Sequence, residues 1–381
     1  MPRSPSTIHA LLGFLATILI GGPVQAAEPM SALEAESWSL AANHLHSAPG
    51  GEAAWGRGIA HIASWCEANG VRFAALTDHN TIGGWFLPEF SQARGVVMIP
   101  GEEWTSNGGH ANLIDYAASG PEGAIRPGAE GYCAAEPGHE ALLVPDSPPP
   151  DHQAMVREVH ARGGLVLINH PGLPLYPWPE NTFGADACEV GPNFLDFRGR
   201  KSFAWWMRRL EEGSRICAVA GSDYHYLRPK EADDKDPVFT PAIDTPINLL
   251  LAPTEDVAGF RKAIESRHVQ VLKGRKAPRL LVGIDGNGDG VYGEGTLGDI
   301  VSGRHGDTVS ISIRVLGGRK ETLRLIESRM GGNEADRQLT EVPITADDFT
   351  HVLSRSITGT ESSFLIISVG SLKTIGNPIW Y

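Results

Sequence analysis

Short apolar runs alternate over residues 37–272 with stretches whose apolar residues recur at helical spacing. This is the pattern of βα units folded into a mainly parallel sheet or barrel. The runs predict strands ending at Leu45, Leu76, Ile99, Ile114, Ile168, Val190 and Val219, and helices over 58–69, 152–162 and 204–212. A further strand over 249–252 and a helix over 256–267 complete this first part. About seven strands suffice to close a barrel. Beyond Lys276 the pattern becomes an alternation of apolar and polar positions, as in Val309-Ser310-Ile311-Ser312-Ile313-Arg314-Val315 and Phe364-Leu365-Ile366-Ile367-Ser368-Val369. Turn residues separate these runs, so an antiparallel β-sandwich is expected over 279–381. The stretch 117–150, rich in Gly, Pro and Ala, is expected either to cover the site as a lid or to lie as a surface loop.

Composition narrows the picture. The chain has 381 residues and a formal charge of −13, and it has no run of Lys and Arg that could follow a phosphate backbone. Nucleic acid is therefore not an expected partner, and a small-molecule substrate is. Arg3, the apolar stretch 10–20 and the small-residue site Val24-Gln25-Ala26 resemble a signal peptide over 1–26. Secretion, in a bacterium to the periplasm, is the expectation, with no stable membrane insertion after cleavage. Cys66, Cys133, Cys188 and Cys217 form no CxxC pair, which excludes a zinc ribbon and a thioredoxin-like redox motif and assigns the thiols no catalytic role.

The candidate chemistry lies at the ends of the apolar runs. In Asn43-His44-Leu45-His46-Ser47 the two histidines share one strand face, so two imidazoles can meet one metal ion. Alone this is a weak signal, but it recurs: Thr77-Asp78-His79-Asn80, Pro100-Gly101-Glu102-Glu103, Gly109-His110-Ala111-Asn112, Ile168-Asn169-His170-Pro171 and Gly221-Ser222-Asp223-Tyr224-His225 each follow or open a strand. Hydrogen-bonded strand caps explain any one of these and explain the set poorly. Buried charges must be paired or bind metals, so convergence of this many ionisable groups implies cations. Nitrogen and oxygen donors without thiolate suit zinc, manganese or iron.

The order HLHS, LTDHNT, PGEE, GHAN, INHP and GSDYH over residues 40–226 resembles the PHP (polymerase and histidinol phosphatase) family of metallohydrolases. The GHAN and EEWTS portions are similar to its CehA/McbA branch of carbamate-insecticide hydrolases. The resemblance implies a distorted (β/α)7 barrel over 36–278 holding two or three divalent ions. It implies a first ion on His44, His46, Glu103 and Asp223, a second on Glu103, His110 and His170, and a third on His79 and His225. Glu103 is preferred to Glu102 because the family's carboxylate ends a PGxE pattern. Relatives complete the third site with an Asp or His shortly after HxH, where this chain offers Glu52. Asn43 stands where Asp is common. Asp78, Glu103 and His225 are the expected catalytic residues, Asp78 by orienting an imidazole or a water.

The chemistry expected is attack on phosphorus or a carbonyl carbon by a water bridging two cations, acidified from 15.7 toward about 7. Neither a GxSxG elbow nor a P-loop is present. Phosphoester hydrolysis is the first expectation and ester or carbamate hydrolysis the second; a non-catalytic periplasmic metal- or glycan-binding protein is the third. Arg57, Arg228 and Lys230 are candidates to meet a phosphate, although a solvated surface charge is the commoner fate of such residues. Trp55, Trp85, Trp104, Tyr176 and Trp178 are candidates to line a pocket, although core packing is more usual. Asp285, Asn287 and Asp289 resemble half of a calcium loop whose twelfth position is Thr296, with Glu294 as substitute; a glycine-rich hairpin turn is the competing reading.

Overall fold

The computed structural model describes residues 38–47, 58–125, 150–173, 178–191, 199–225, 242–357 and 361–381, and its architecture is mixed α/β. The expected signal peptide lies outside the described residues, as do Glu52, Trp55, Arg57, Cys133, Tyr176, Arg228, Lys230 and most of the expected lid. No helix among the described residues is long and apolar enough to cross a membrane.

Strands β1 (Trp38–Leu45), β2 (Val71–His79) and β3 (Val97–Ser106) run parallel, with α1 (Ile59–Ala68) between the first two and the short α2 (Pro88–Ser91) before the third. The chain then departs from the expected βα repeat. β3 continues past Ile99 to Ser106 and turns back as β4 (Gly109–Ile114), which is antiparallel both to β3 and to β5 (Leu165–Ile168). Pro100-Gly101 suggests a strand end in sequence, yet the ladder runs on through Leu76↔Pro100 to His79↔Glu103. Gly101 serves packing, not a turn: a Cβ there would sit 2.8 Å from Ile114 Cδ1. The turn is Asn107-Gly108, between the paired Ser106 and Gly109, and Asn-Gly is the strongest short hairpin signal a sequence carries.

After α3 (His152–Ala161) the order β5, β6 (Ala187–Glu189), β7 (Cys217–Val219) is parallel again, with α4 (Arg200–Glu211) between the last two. β8 (Ile247–Leu251) pairs antiparallel with β1; α5 (Val257–Glu265) and β9 (Val269–Leu272) follow. The strand run folds back on itself. Leu45 bridges Tyr224 just beyond β7, and two buried amides stand in for a ladder along the β7 edge. Asn377 accepts from Ala218 N–H at 2.7 Å and donates to its carbonyl at 2.9 Å; Asn248 does the same for Ala220 at 2.6 and 2.9 Å. One buried cluster draws Ala41, Phe73, Ile99, Ile114, Leu167, Ala187, Val219, Leu250 and Val269 from β1 through β9, together with Phe260 of α5.

The later residues form a sheet of β10 (Arg279–Asp285), β11 (Thr308–Leu316) and β14 (Asp348–Ser356). The second layer consists of β12 (Thr322–Arg329), β13 (Gln338–Pro343), β15 (Ser363–Val369), β16 (Thr374–Gly376) and β17 (Ile379–Trp380), and it is hydrogen-bonded to the sheet of β1 to β9 where β16 pairs with β9. At 279 the chain leaves the sheet of β1 to β9 for that of β10, yet β12, β13, β15, β16 and β17 return to the earlier sheet, so the change of pattern does not set the later residues apart. β15 explains why: Leu365, Ile367 and Val369 pack with Val282, Ile311 and Ile313, while Phe364 and Ile366 on its other face pack with Trp205 and Trp206 of α4. A strand covered on both faces is apolar throughout.

Cys66, Cys188 and Cys217 are buried free thiols, and Cys188 and Cys217, although on adjacent strands, belong to different core clusters.

The Asn248→Ala variant strands both backbone groups of Ala220 in the interior, so unfolding in urea is expected to lose on the order of 2–4 kcal/mol. An unchanged midpoint would mean that this edge does not need its amide staple.

Candidate metal centre

The ends of the strands bring the expected residues together. His44 and His46 come from the end of β1, His79 from the end of β2, Glu103 from β3, His110 from β4, His170 from just after β5, and Asp223 and His225 from beyond β7. They form three sets, within each of which the ligand atoms lie within 4.8 Å of one another: His44, His46, Glu103 and Asp223; Glu103, His110 and His170; and His46, His79 and His225. The first two sets are those expected. The third gains His46 in addition to His79 and His225.

Distances within the cluster are short. Nε2 of His44 lies 3.3 Å from both Glu103 Oε1 and Asp223 Oδ1. Nε2 of His46 lies 3.1 Å from Asp223 Oδ1 and 3.4 Å from Glu103 Oε2. Glu103 also meets His79 Nδ1 at 2.7 Å and His110 Nδ1 at 3.1 Å, and Asp223 meets His225 Nε2 at 2.9 Å. The rings of His46 and His225 stack with centroids 3.9 Å apart. Period-two alternation on β3 decides between the neighbouring acids: Glu103 faces the cluster, whereas Glu102 accepts hydrogen bonds from Tyr116 Oη and Ile125 N–H.

Backbone geometry is unusual at two ligands. His170 and Asp223 have φ of 31° and 52°, left-handed conformations that cost about 1–3 kcal/mol for a residue with a Cβ and concentrate at functional sites. The surroundings hold them. Glu189 accepts the His170 N–H at 2.8 Å and lies 2.7 Å from His44 Nδ1. Asn169 donates to Glu103 Oε1 at 2.8 Å and to Asn112 Oδ1 at 2.9 Å. Thr105 Oγ1 lies 2.6 Å from His79 Nδ1. Asp78 accepts the N–H and hydroxyl of Ser47 at 2.6 and 2.9 Å, so it ties down the segment after His46.

Sequence reasoning passed over Glu189, although a lone acid in Ala187-Cys188-Glu189-Val190 was a usable signal, because a carboxylate in an apolar strand needs a partner. Asn112, Asn169 and Thr105 went unassigned because amides and hydroxyls carry no ligand pattern. Trp104 and Trp178 are buried, packed around His152 with Phe183. Trp85 donates its indole N–H to Gly101 O and meets Tyr116 edge-on. In the loop 285–296 the oxygens of Asp285 accept from Gly288 and Gly290 N–H, and Glu294 accepts from Gly286 and Asn287 N–H. Asp289 accepts from Val291 N–H, and the Thr296 hydroxyl donates to Val282 O, so these groups close a glycine-rich turn.

Burial by itself would lower the pKa of His44, but Glu103, Asp223 and Glu189 outweigh it and hold the value well above the usual histidine range. Burial likewise opposes ionisation of Glu103 and Asp223, and the surrounding histidines overcome it and keep both acids well below the carboxylate range. His110 goes the other way, pushed by burial down to about 4 against the pull of Glu103.

The residues fit divalent cations. Two buried carboxylates, Glu103 and Asp223, have only histidines as ion-pair partners among the described residues, and Nε2 of His44 is buried without a hydrogen bond. Imidazole and carboxylate donors in sets of three and four are the donor chemistry of zinc, manganese and iron. No family model matches the chain, and no curated protein matches it either.

The shifts set a pH dependence for protein stripped of ions. The contribution of His44 is complete below about 6.5 and is lost as pH rises through its raised pKa; that of Glu103 and Asp223 is present above about 4.5 and is lost on acidification. A bound cation replaces the proton of His44 as counter-charge. Added zinc or manganese is therefore expected to raise the melting temperature more at pH 9 than at pH 6.5. Equal gains at both would contradict the coupling.

Proposed function

We propose that the protein is a metal-dependent hydrolase of the PHP family, similar to the CehA/McbA branch, with β1 to β9 as its distorted (β/α)7 barrel and a phosphoester as its substrate. The observation that carries the reading is the meeting of the expected ligands in three adjoining sets that share Glu103 and His46. Among the described residues those sets contain only two carboxylates, Glu103 and Asp223. Two or three divalent ions would leave the cluster cationic, which favours an anionic phosphoryl oxygen over a neutral carbonyl. Bound ions would supply Lewis acidity and lower the pKa of water toward about 7.

The chain's own residues divide the remaining work. Glu103 belongs to two sets and joins them, while His44 is sealed in the interior. His79 and His225 are the partly exposed members, so substrate reaches the cluster from their side. Asp78 steadies that rim through Ser47. Cys66 and Cys217, their thiols raised by burial to about 12, offer no nucleophile. The ester or carbamate alternative loses two of its expected pocket aromatics, Trp104 and Trp178, to packing.

Metal analysis of purified protein, followed by assays of phosphomonoesters, phosphodiesters and aryl esters with zinc, manganese or iron, tests the reading. Phosphoester turnover is expected to require metal, to fall more than about 100-fold in His44→Ala, and to survive in Cys217→Ala. Turnover of carboxyl esters or carbamates alone would transfer the assignment to the second substrate class. Bound metal with no hydrolysis would leave a binding protein.

A further inference from the structure

Glu189 touches two ligand residues at once. It closes β6 and is 4 % exposed; its Oε1 lies 2.7 Å from Nδ1 of His44, and its Oε2 accepts the backbone N–H of His170 at 2.8 Å. His44 belongs to the first ligand set and His170 to the second. We propose that Glu189 is a positioning residue that sets the ring tautomer of His44 and the backbone of His170, and so the relative placement of the first two ligand sets. The inference rests on the reading of the cluster as a metal centre.

A neutral imidazole offers one N–H and one lone pair. With a carboxylate oxygen against Nδ1, the neutral ring that a cation would require carries its hydrogen there, so that Nε2, 3.3 Å from both Glu103 and Asp223, would keep the lone pair for the ion. The opposite tautomer would aim an N–H at those two acids and offer a cation nothing. Such carboxylate–histidine pairs orient metal ligands generally, and losing one costs about 10–100-fold in affinity. The second contact addresses a different difficulty. His170 sits at φ 31°, where its peptide needs an anchor, and Glu189 supplies it.

The fold makes room for this residue in particular. To reach β1, the Glu189 side chain passes over Gly221, where a Cβ would lie 1.6 Å from Oε1. Any side chain at 221 would push the carboxylate away from His44. Gly221 is thus required by the acid and not by its own backbone, since it is absent from the residues with positive φ.

The test compares full-length wild type with Glu189→Ala, Glu189→Gln and Gly221→Ala. Each is stripped by chelation and titrated with zinc or cobalt against a chromophoric chelator, with melting curves to confirm folding. Glu189→Ala is expected to weaken ion binding about 10–100-fold and to alter the visible bands of the cobalt form. Glu189→Gln should lose less, because an amide oxygen still accepts from His44 while its NH2 opposes the His170 N–H. Gly221→Ala should move in the same direction with the carboxylate retained. Folded variants that bind within about twofold of wild type, with unchanged bands, overturn the proposal. Wild type that binds no ion overturns the metal reading instead.

Nitrogen-15 spectra of the zinc-loaded wild type give a check independent of variant folding. His44, assigned by the loss of its signal in His44→Gln, should carry its proton on Nδ1. A proton on Nε2 would refute the role assigned to Glu189.

Discussion

A carboxylate with no access to water governs this structure. Glu103 is wholly buried, and at an effective interior dielectric its charge survives only because His44, His46, His79 and His110 surround it from three other strands. Those histidines in turn need acceptors or cations on their remaining nitrogens. The supporting shell of Glu189, Asn169, Asn112 and Thr105 follows from that demand, because a half-satisfied buried polar network is worse than an apolar one.

The same demand shapes the backbone. Left-handed conformations at His170 and Asp223, the bare glycine at 221, and the side-chain amides along β7 all bring polar groups closer than regular strands and loops would allow. Stability elsewhere offsets this strain. β15, apolar on both faces, joins the later layers to the rest through Trp205 and Trp206, and α5 places Phe260 in the cluster shared by β1 to β9. Strands β12, β13, β15, β16 and β17 belong to the same sheet as the strands that present the ligands, joined to them through β9.

Much was legible in the residues. The HxH pair, the acids at 102 and 103 and the histidines at 79, 110 and 170 stood out because strand alternation and strand ends are local properties, and each run carried its own signal; the choice of 103 came from the PGxE resemblance. Helices α1, α3 and α5 likewise matched their periodicity within a residue or two. The β3–β4 hairpin was misread because Pro100-Gly101 resembled a strand end, although Asn107-Gly108 marked the true turn.

By itself the sequence determined which residue types could meet a cation and that they would sit on strand ends, because donor chemistry and period-two alternation need no knowledge of distant neighbours. Only the tertiary structure decided that His46 is shared between two sets, that Glu189 reaches across Gly221 to His44, and that β16 fuses the later layer to β9. Each of those depends on register and approach between segments far apart in the chain, and close packing settles such relations where local pattern cannot.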